Sequence, residues 1–291
     1  MSATTSTKGV SLRVRKREAA RSEIQPPPIR VDDARVVRLV GASRAYSLVP
    51  PLLLGVILLI AWYVSTTSGH VNNLLLPTPG DVLASLIDGI KTGIYISNTL
   101  YTVLESVLGF LLALIIALPV GYAIAKSRLL AATIQPYLVA GQAIPAIVIA
   151  PLLYLWLGYG LPTNIVICTL VVLFPMVINT VLGIEIIDST LTDAARVEGA
   201  AGWSLLAYIE FPLALPAILA AIRTALTLSI VGALVAEFVG GGDQGLGALV
   251  ALAKNQYNTP FMFSTLIVLA ALATCYYSVS WLLVKLAERL Y

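Results

Sequence analysis

Six apolar runs constrain this chain more than any other feature: 48–64, 100–125, 134–157, 161–182, 215–238 and 261–286. A hydrocarbon core about 30 Å thick is crossed by about 20 helical residues, and each run approaches or exceeds that length. In lipid every backbone N–H and C=O must find its partner inside the protein, which leaves helices as the reading for runs of this kind. The expectation is an all-α integral membrane protein with six transmembrane helices. Composition agrees, since 58% hydrophobic and 11% charged residues lie far from the balance of a water-soluble globule.

Charge placement orients the spans. Residues 1–47 hold ten Lys/Arg against Glu18, Glu23, Asp32 and Asp33. This leader is too long and polar for a signal peptide, and its first 45 residues lack an aromatic side chain to stack on bases. It reads as a disordered basic tail beside an anionic leaflet, with no nucleic-acid partner. If the N-terminus is cytoplasmic, Lys126, Arg128, Arg196, Arg223, Lys285 and Arg289 also fall inside, leaving Lys91 and Lys254 outside. The asymmetry predicts cytoplasmic termini.

Between the spans, 77–90 starts with Pro77-Thr78-Pro79-Gly80-Asp81 and reads as an interfacial helix. Residues 240–247 form a glycine-rich segment, either a close-packed turn or a flexible loop. Cys168 and Cys275 lie in apolar runs and read as small side chains packed between helices. With one histidine, His70, no metal-ligand spacing exists, and no catalytic set is present. Pro119, Pro136, Pro145, Pro151 and Pro175 bend their spans, which fits a lined pathway. Glu105, Glu237 and Arg223 are charges within spans; with Pro145, Gly245 and Gly247, the two carboxylates are the candidates for a pathway or gate. Glu105 lines that pathway or bonds to a neighbouring helix.

The exception to the apolar pattern is a polar loop, 183–214. Thr190 and Asp193 form a capping-box pattern, Ala194–Glu198 a short helix, and Gly199 its left-handed stop. A second short helix, Trp203–Ile209, is expected to stop before Pro212. Trp203, Leu206 and Ile209 are available for packing, as a knob held by a partner or as a loop folded onto its own bundle.

The spacing Asp193-Ala194-Ala195, three residues, Gly199, nine residues, Ile209, one residue, Phe211-Pro212 resembles the EAA signature of membrane subunits of binding-protein-dependent ABC importers. Asp replaces Glu at its first position and Phe replaces Leu before the proline. The resemblance extends from about Leu48 to the C-terminus through Leu76-Pro77-Thr78-Pro79, Leu157-Gly158-Tyr159-Gly160, Leu215-Pro216-Ala217-Ile218, Ala236-Glu237 and Gly245-Leu246-Gly247. It is strongest to the subfamily for nitrate, taurine, alkanesulfonates, thiamine pyrimidine precursors and riboflavin.

The resemblance implies a type I importer-like bundle in a bacterial inner membrane, paired with a second permease subunit, identical or paralogous. Two cytoplasmic ATPase subunits would grip the loops through Asp193, Ala194, Ala195, Gly199, Trp203, Ile209 and Pro212, while an external binding protein delivers solute. ATP and magnesium would sit on the ATPase, and this chain would hold neither cofactor nor metal. Consistently, no GxxxxGK[S/T] phosphate loop occurs. A self-sufficient secondary transporter or channel is the alternative. For the solute, central spans without Lys or Arg lean toward riboflavin or a pyrimidine over an oxyanion. Tyr122, Tyr137, Tyr154 and Trp156 read as lining for a flat ring or as interfacial anchors.

Overall fold

The computed structural model describes residues 44–68, 72, 74–242 and 244–290, so residues 1–43 of the basic tail, His70 and Asp243 lie outside the described residues, while 44–47, expected as the end of that tail, are helical. The elements are α1 (Arg44–Thr67), α2 (Pro79–Lys91), α3 (Ile94–Lys126), α4 (Arg128–Ala143), α5 (Ala146–Leu157), α6 (Leu161–Glu185), α7 (Ser189–Val197), α8 (Trp203–Leu205), α9 (Phe211–Gly240), α10 (Leu246–Asn255) and α11 (Thr259–Leu290). A π-helical turn, Leu206–Glu210, joins α8 to α9. The chain divides into two compact units, residues 1–60 and 61–291. In the first, the described part is the opening of α1, whose Val49–Thr67 stretch has spanning length and hydropathy.

Within the second unit α3, α6 and α9 pack along one another as the central helices. Small residues let them approach. A Cβ on Gly109 of α3 would fall 2.5 Å from Cys168 Sγ, and one on Gly232 of α9 would fall 2.9 Å from Cys168 Cα. Cys168 is therefore clasped between α3 and α9, while its thiol faces the Ser229 carbonyl at 3.2 Å. Such close backbone approach replaces the hydrophobic drive that lipid cannot supply. Cys275 departs from expectation: it is exposed on α11, a helix with few buried side chains.

Among the described residues five helical segments have spanning length, and the remaining apolar run, the third, is broken. Instead of one helix over 134–157, α4 and α5 meet at 98°. Pro145 drives Ile144 into the extended region, φ −84° and ψ 117°, which ends α4 before the proline. Pro119, Pro136, Pro151 and Pro175 remain inside their helices. The 77–90 helix forms as α2, with Thr78 at its N-cap accepting the Asp81 N–H at 3.2 Å.

Candidate functional site

Two groups of polar residues occur at opposite ends of α9. The first gathers four of the five pathway candidates. Glu237, near the C-terminus of α9, is 1% exposed; Thr102 Oγ1 of α3 donates to its Oε1 at 2.6 Å and the Gly247 N–H to its Oε2 at 2.6 Å. Glu105, one turn from Thr102, is fully buried and close enough to Glu237 for the carboxyls to interact. Asn164 of α6 donates to Glu105 Oε1 at 2.6 Å, while Glu105 Oε2 has no hydrogen-bond partner among the described residues. Glu105 thus bonds to a neighbouring helix, the second of the two roles considered for it. Tyr154 of α5 completes the cluster, its hydroxyl 2.7 Å from both Asn164 Oδ1 and the Ala236 carbonyl, so its single proton serves one acceptor at a time.

The glycine segment is pinned to this cluster. Its Gly245 N–H donates to Asn98 Oδ1 at 2.6 Å and the Leu246 N–H to Thr102 Oγ1 at 3.0 Å. Gly245 has φ +104°, and a Cβ there would lie 2.2 Å from Glu237 Cδ. Glycine is required on both grounds. A cavity of about 300 Å³, lined by Tyr101, Tyr154, Tyr159, Asn164, Glu237 and Gln244 among others, adjoins the pair. Pro145 is not part of this cluster; it lines a separate cavity of about 430 Å³ with Phe174 and Leu228.

The second group contains the loop candidates. Its first helix begins earlier than the capping-box pattern indicated, with Asp188 rather than Thr190 at the N-cap. The Thr190 N–H donates to Asp188 Oδ1 at 2.9 Å, and this bond holds the Asp188 carboxyl below the usual carboxylate range. Asp193 instead pairs with Arg196 at 3.0 Å, and both are exposed. Gly199 takes φ +97°, as its place after the helix predicted. The second helix does not stop before Pro212. The chain runs from Trp203 to Gly240, because the Phe211 N–H reaches back to the Leu206 carbonyl in the wide π turn and Pro212 falls in the opening turn of α9, where its missing donor costs little.

Ala194 and Ala195 lie about 100° apart around α7, exposed and buried respectively. Trp203 does not pack inward: it is 77% exposed, and Leu191, Val197 and Tyr208 are also exposed, whereas Leu206, Ile209 and Pro212 are half-buried. This end of the bundle therefore presents unburied apolar side chains on α7 and on the stretch from Trp203 to Glu210. Of the aromatic candidates, Tyr137 and Trp156 are exposed, while Tyr122 donates to Glu210 Oε2 at 3.0 Å. Glu210 is 1% exposed, and Lys126 Nζ meets its Oε1 at 2.5 Å.

Sequence reasoning missed Asn98, Thr102, Asn164 and the Lys126–Glu210 pair. One signal for the last was present: Glu210 is a lone acid between Ile209 and Phe211-Pro212 in an otherwise apolar stretch. Lys126 figured only as an inner positive charge.

Residues 109–290 match the family described as binding-protein-dependent transport system inner membrane component. The chain is 39% identical to the riboflavin transport system permease protein of Chloroflexus aurantiacus, over 80% of this chain and 87% of that one. It is 29% identical to the putative aliphatic sulfonates transport permease protein of Bacillus subtilis, over 82% and 86%. Among solved structures it is similar to a chain of the MetNI methionine ABC transporter in an inward facing conformation, with TM-score 0.61 at 20% identity, covering 67% of this chain and 96% of that one.

Proposed function

Because the chain belongs to the family of binding-protein-dependent transport system inner membrane components, we propose that it is the permease subunit of an ATP-driven importer. It works as a pair of such subunits, identical or paralogous, with two cytoplasmic ATPase subunits that supply ATP and magnesium and an external binding protein that delivers solute. Both termini face the cytoplasm. The loop around α7 and α8 is the surface the ATPase grips, and the single observation that carries this reading is its unburied Leu191, Val197, Trp203 and Tyr208 beside the exposed Asp193 and Arg196. Moving a two-state bundle from about 1:99 to 99:1 takes ~5.5 kcal/mol of differential binding, which the gripped loop transmits.

The solute is a neutral heterocycle of the riboflavin or pyrimidine type. Supporting this are the absence of Lys and Arg from the central parts of the second to sixth spans and the riboflavin permease relative. Nitrate, taurine and alkanesulfonates are the competing class, represented by the sulfonate relative. Gly199→Asp, which places a side chain at φ +97° in the exposed turn, is expected to insert normally yet lose copurifying ATPase and uptake. Unchanged uptake would sink the coupling role. Calorimetry on the cognate binding protein decides the solute: tight riboflavin binding supports the heterocycle, and tight nitrate or sulfonate binding overturns it.

A further inference from the structure

We propose that the Lys126–Glu210 ion pair, seated by Tyr122, is the strut through which the coupling loop moves α3, making Lys126 and Glu210 positioning residues for transport. The proposal rests on the permease reading above.

The pair joins the last residue of α3 to the last residue of the π turn, 84 positions later in the chain. Among the described residues the other ion pair, Arg196–Asp193, lies within one helix and is exposed. The contacts of Glu210 with Lys126 and Tyr122 are also the polar side-chain ties between α3 and the coupling segment among the described residues. Apolar packing of Leu118, Tyr122 and Ala125 against Ile184, Ile187 and Ala214 also joins the two, and beside it opens a crevice of about 560 Å³ lined by Trp203, Leu206 and Phe211 among others. Apolar packing is non-directional and can slide along a crevice, whereas a short contact between opposite charges resists separation and shear.

The route into the strut is equally local. Beyond its chain neighbours, α7 packs against α8 and the π turn, so a displacement of α7 arrives first at Leu206–Glu210. There the wide turn points Tyr208 outward, at 77% exposure, and Glu210 inward at 1%. A π turn carries one residue more than the α-helical path, and tightening it would rotate the preceding residues by about 100°. In the proposed stroke the turn passes between these two registers, beside the charge contact that senses them. Glu210 is buried and its partner Lys126 partly so, and removing either charge leaves the other uncompensated.

The test uses the complete transporter, with its ATPase subunits and binding protein, in proteoliposomes, measuring ATP hydrolysis and solute uptake together. Glu210→Gln keeps the side chain's shape and removes its charge. Uptake is expected to fall about tenfold while ATPase copurification and hydrolysis persist, raising the ATP consumed per solute by a similar factor. Lys126→Met, at a partly exposed position, should do the same and serves if Glu210→Gln does not fold. The exchange Lys126→Glu with Glu210→Lys should recover most of the coupling. Wild-type uptake in both single variants overturns the proposal. So does parallel loss of uptake, hydrolysis and copurification that the exchange fails to restore, which marks a purely structural pair. A wild-type chain that copurifies with no ATPase defeats the permease reading instead.

Discussion

The two ends of α9 treat buried carboxylates in opposite ways. At the glycine-segment end, Glu105 and Glu237 are held by the neutral donors Asn164, Thr102 and the Gly247 N–H, and the backbone is drawn in so tightly that Gly245 has no room for a Cβ. At the coupling end Glu210 has a cationic partner, and a crevice and exposed aromatic side chains surround it. The difference teaches where motion can enter. Directional hydrogen bonds that draw the backbone onto Glu237 fix the glycine segment even beside its own cavity, while an ion pair, which constrains distance more than direction, joins parts that can still move.

The comparison breaks most readily at Glu237. Glu237→Ala strands Thr102 and the Gly247 N–H in a buried site and is expected to cost about 3 kcal/mol, with faster amide exchange at 245–247. Unchanged exchange there would mean that the glycine segment is held by something other than this cluster. A smaller effect tests the spine between the ends. Cys168→Leu forces volume between Gly109 and Gly232 and should destabilise by about 2 kcal/mol in thermal unfolding, because both neighbours are backbone and cannot yield. A neutral result would show that the central helices move apart easily and that the two ends are not rigidly connected.

The smallest effect lies in the coupling loop. Because the Asp188 carboxyl is held below its ordinary range by the Thr190 N–H, its capping contribution is present above the usual carboxylate range and is lost as pH falls through the lowered value. The protection of the Thr190 amide, its exchange rate compared with that of an unstructured peptide at the same pH, should fall on acidification, and in Asp188→Ala it should be low throughout. A pH-independent, protected Thr190 would show that α7 starts without this cap.

Much of the bundle was legible because helix length and hydropathy are local properties. The broken third run was not, since five intraspan prolines look alike in sequence and one of them, Pro145, ends its helix. Tertiary packing separates them: Gly141, just before the break, sits where a Cβ would meet the Phe174 ring at 2.6 Å, so α4 ends closely against α6. The π turn was hidden for a related reason. Pro212 forbids an ordinary internal helical bond, but whether the chain stops or widens depends on what the preceding turn packs against.

In the functional regions the sequence named Glu105, Glu237, Gly245 and Gly247 by residue type alone, as carboxylates in apolar runs and glycines in a turn. It could not bring Asn98, Thr102 and Asn164 to them, because polar residues on three helices acquire a common address only when the helices pack. The sequence by itself determined six apolar runs, their charge asymmetry and the loop spacing, all governed by neighbours along the chain. The tertiary structure alone decided that Glu105 bonds to Asn164, that Lys126 meets Glu210 and that one span is bent, since each depends on which helix faces reach van der Waals contact.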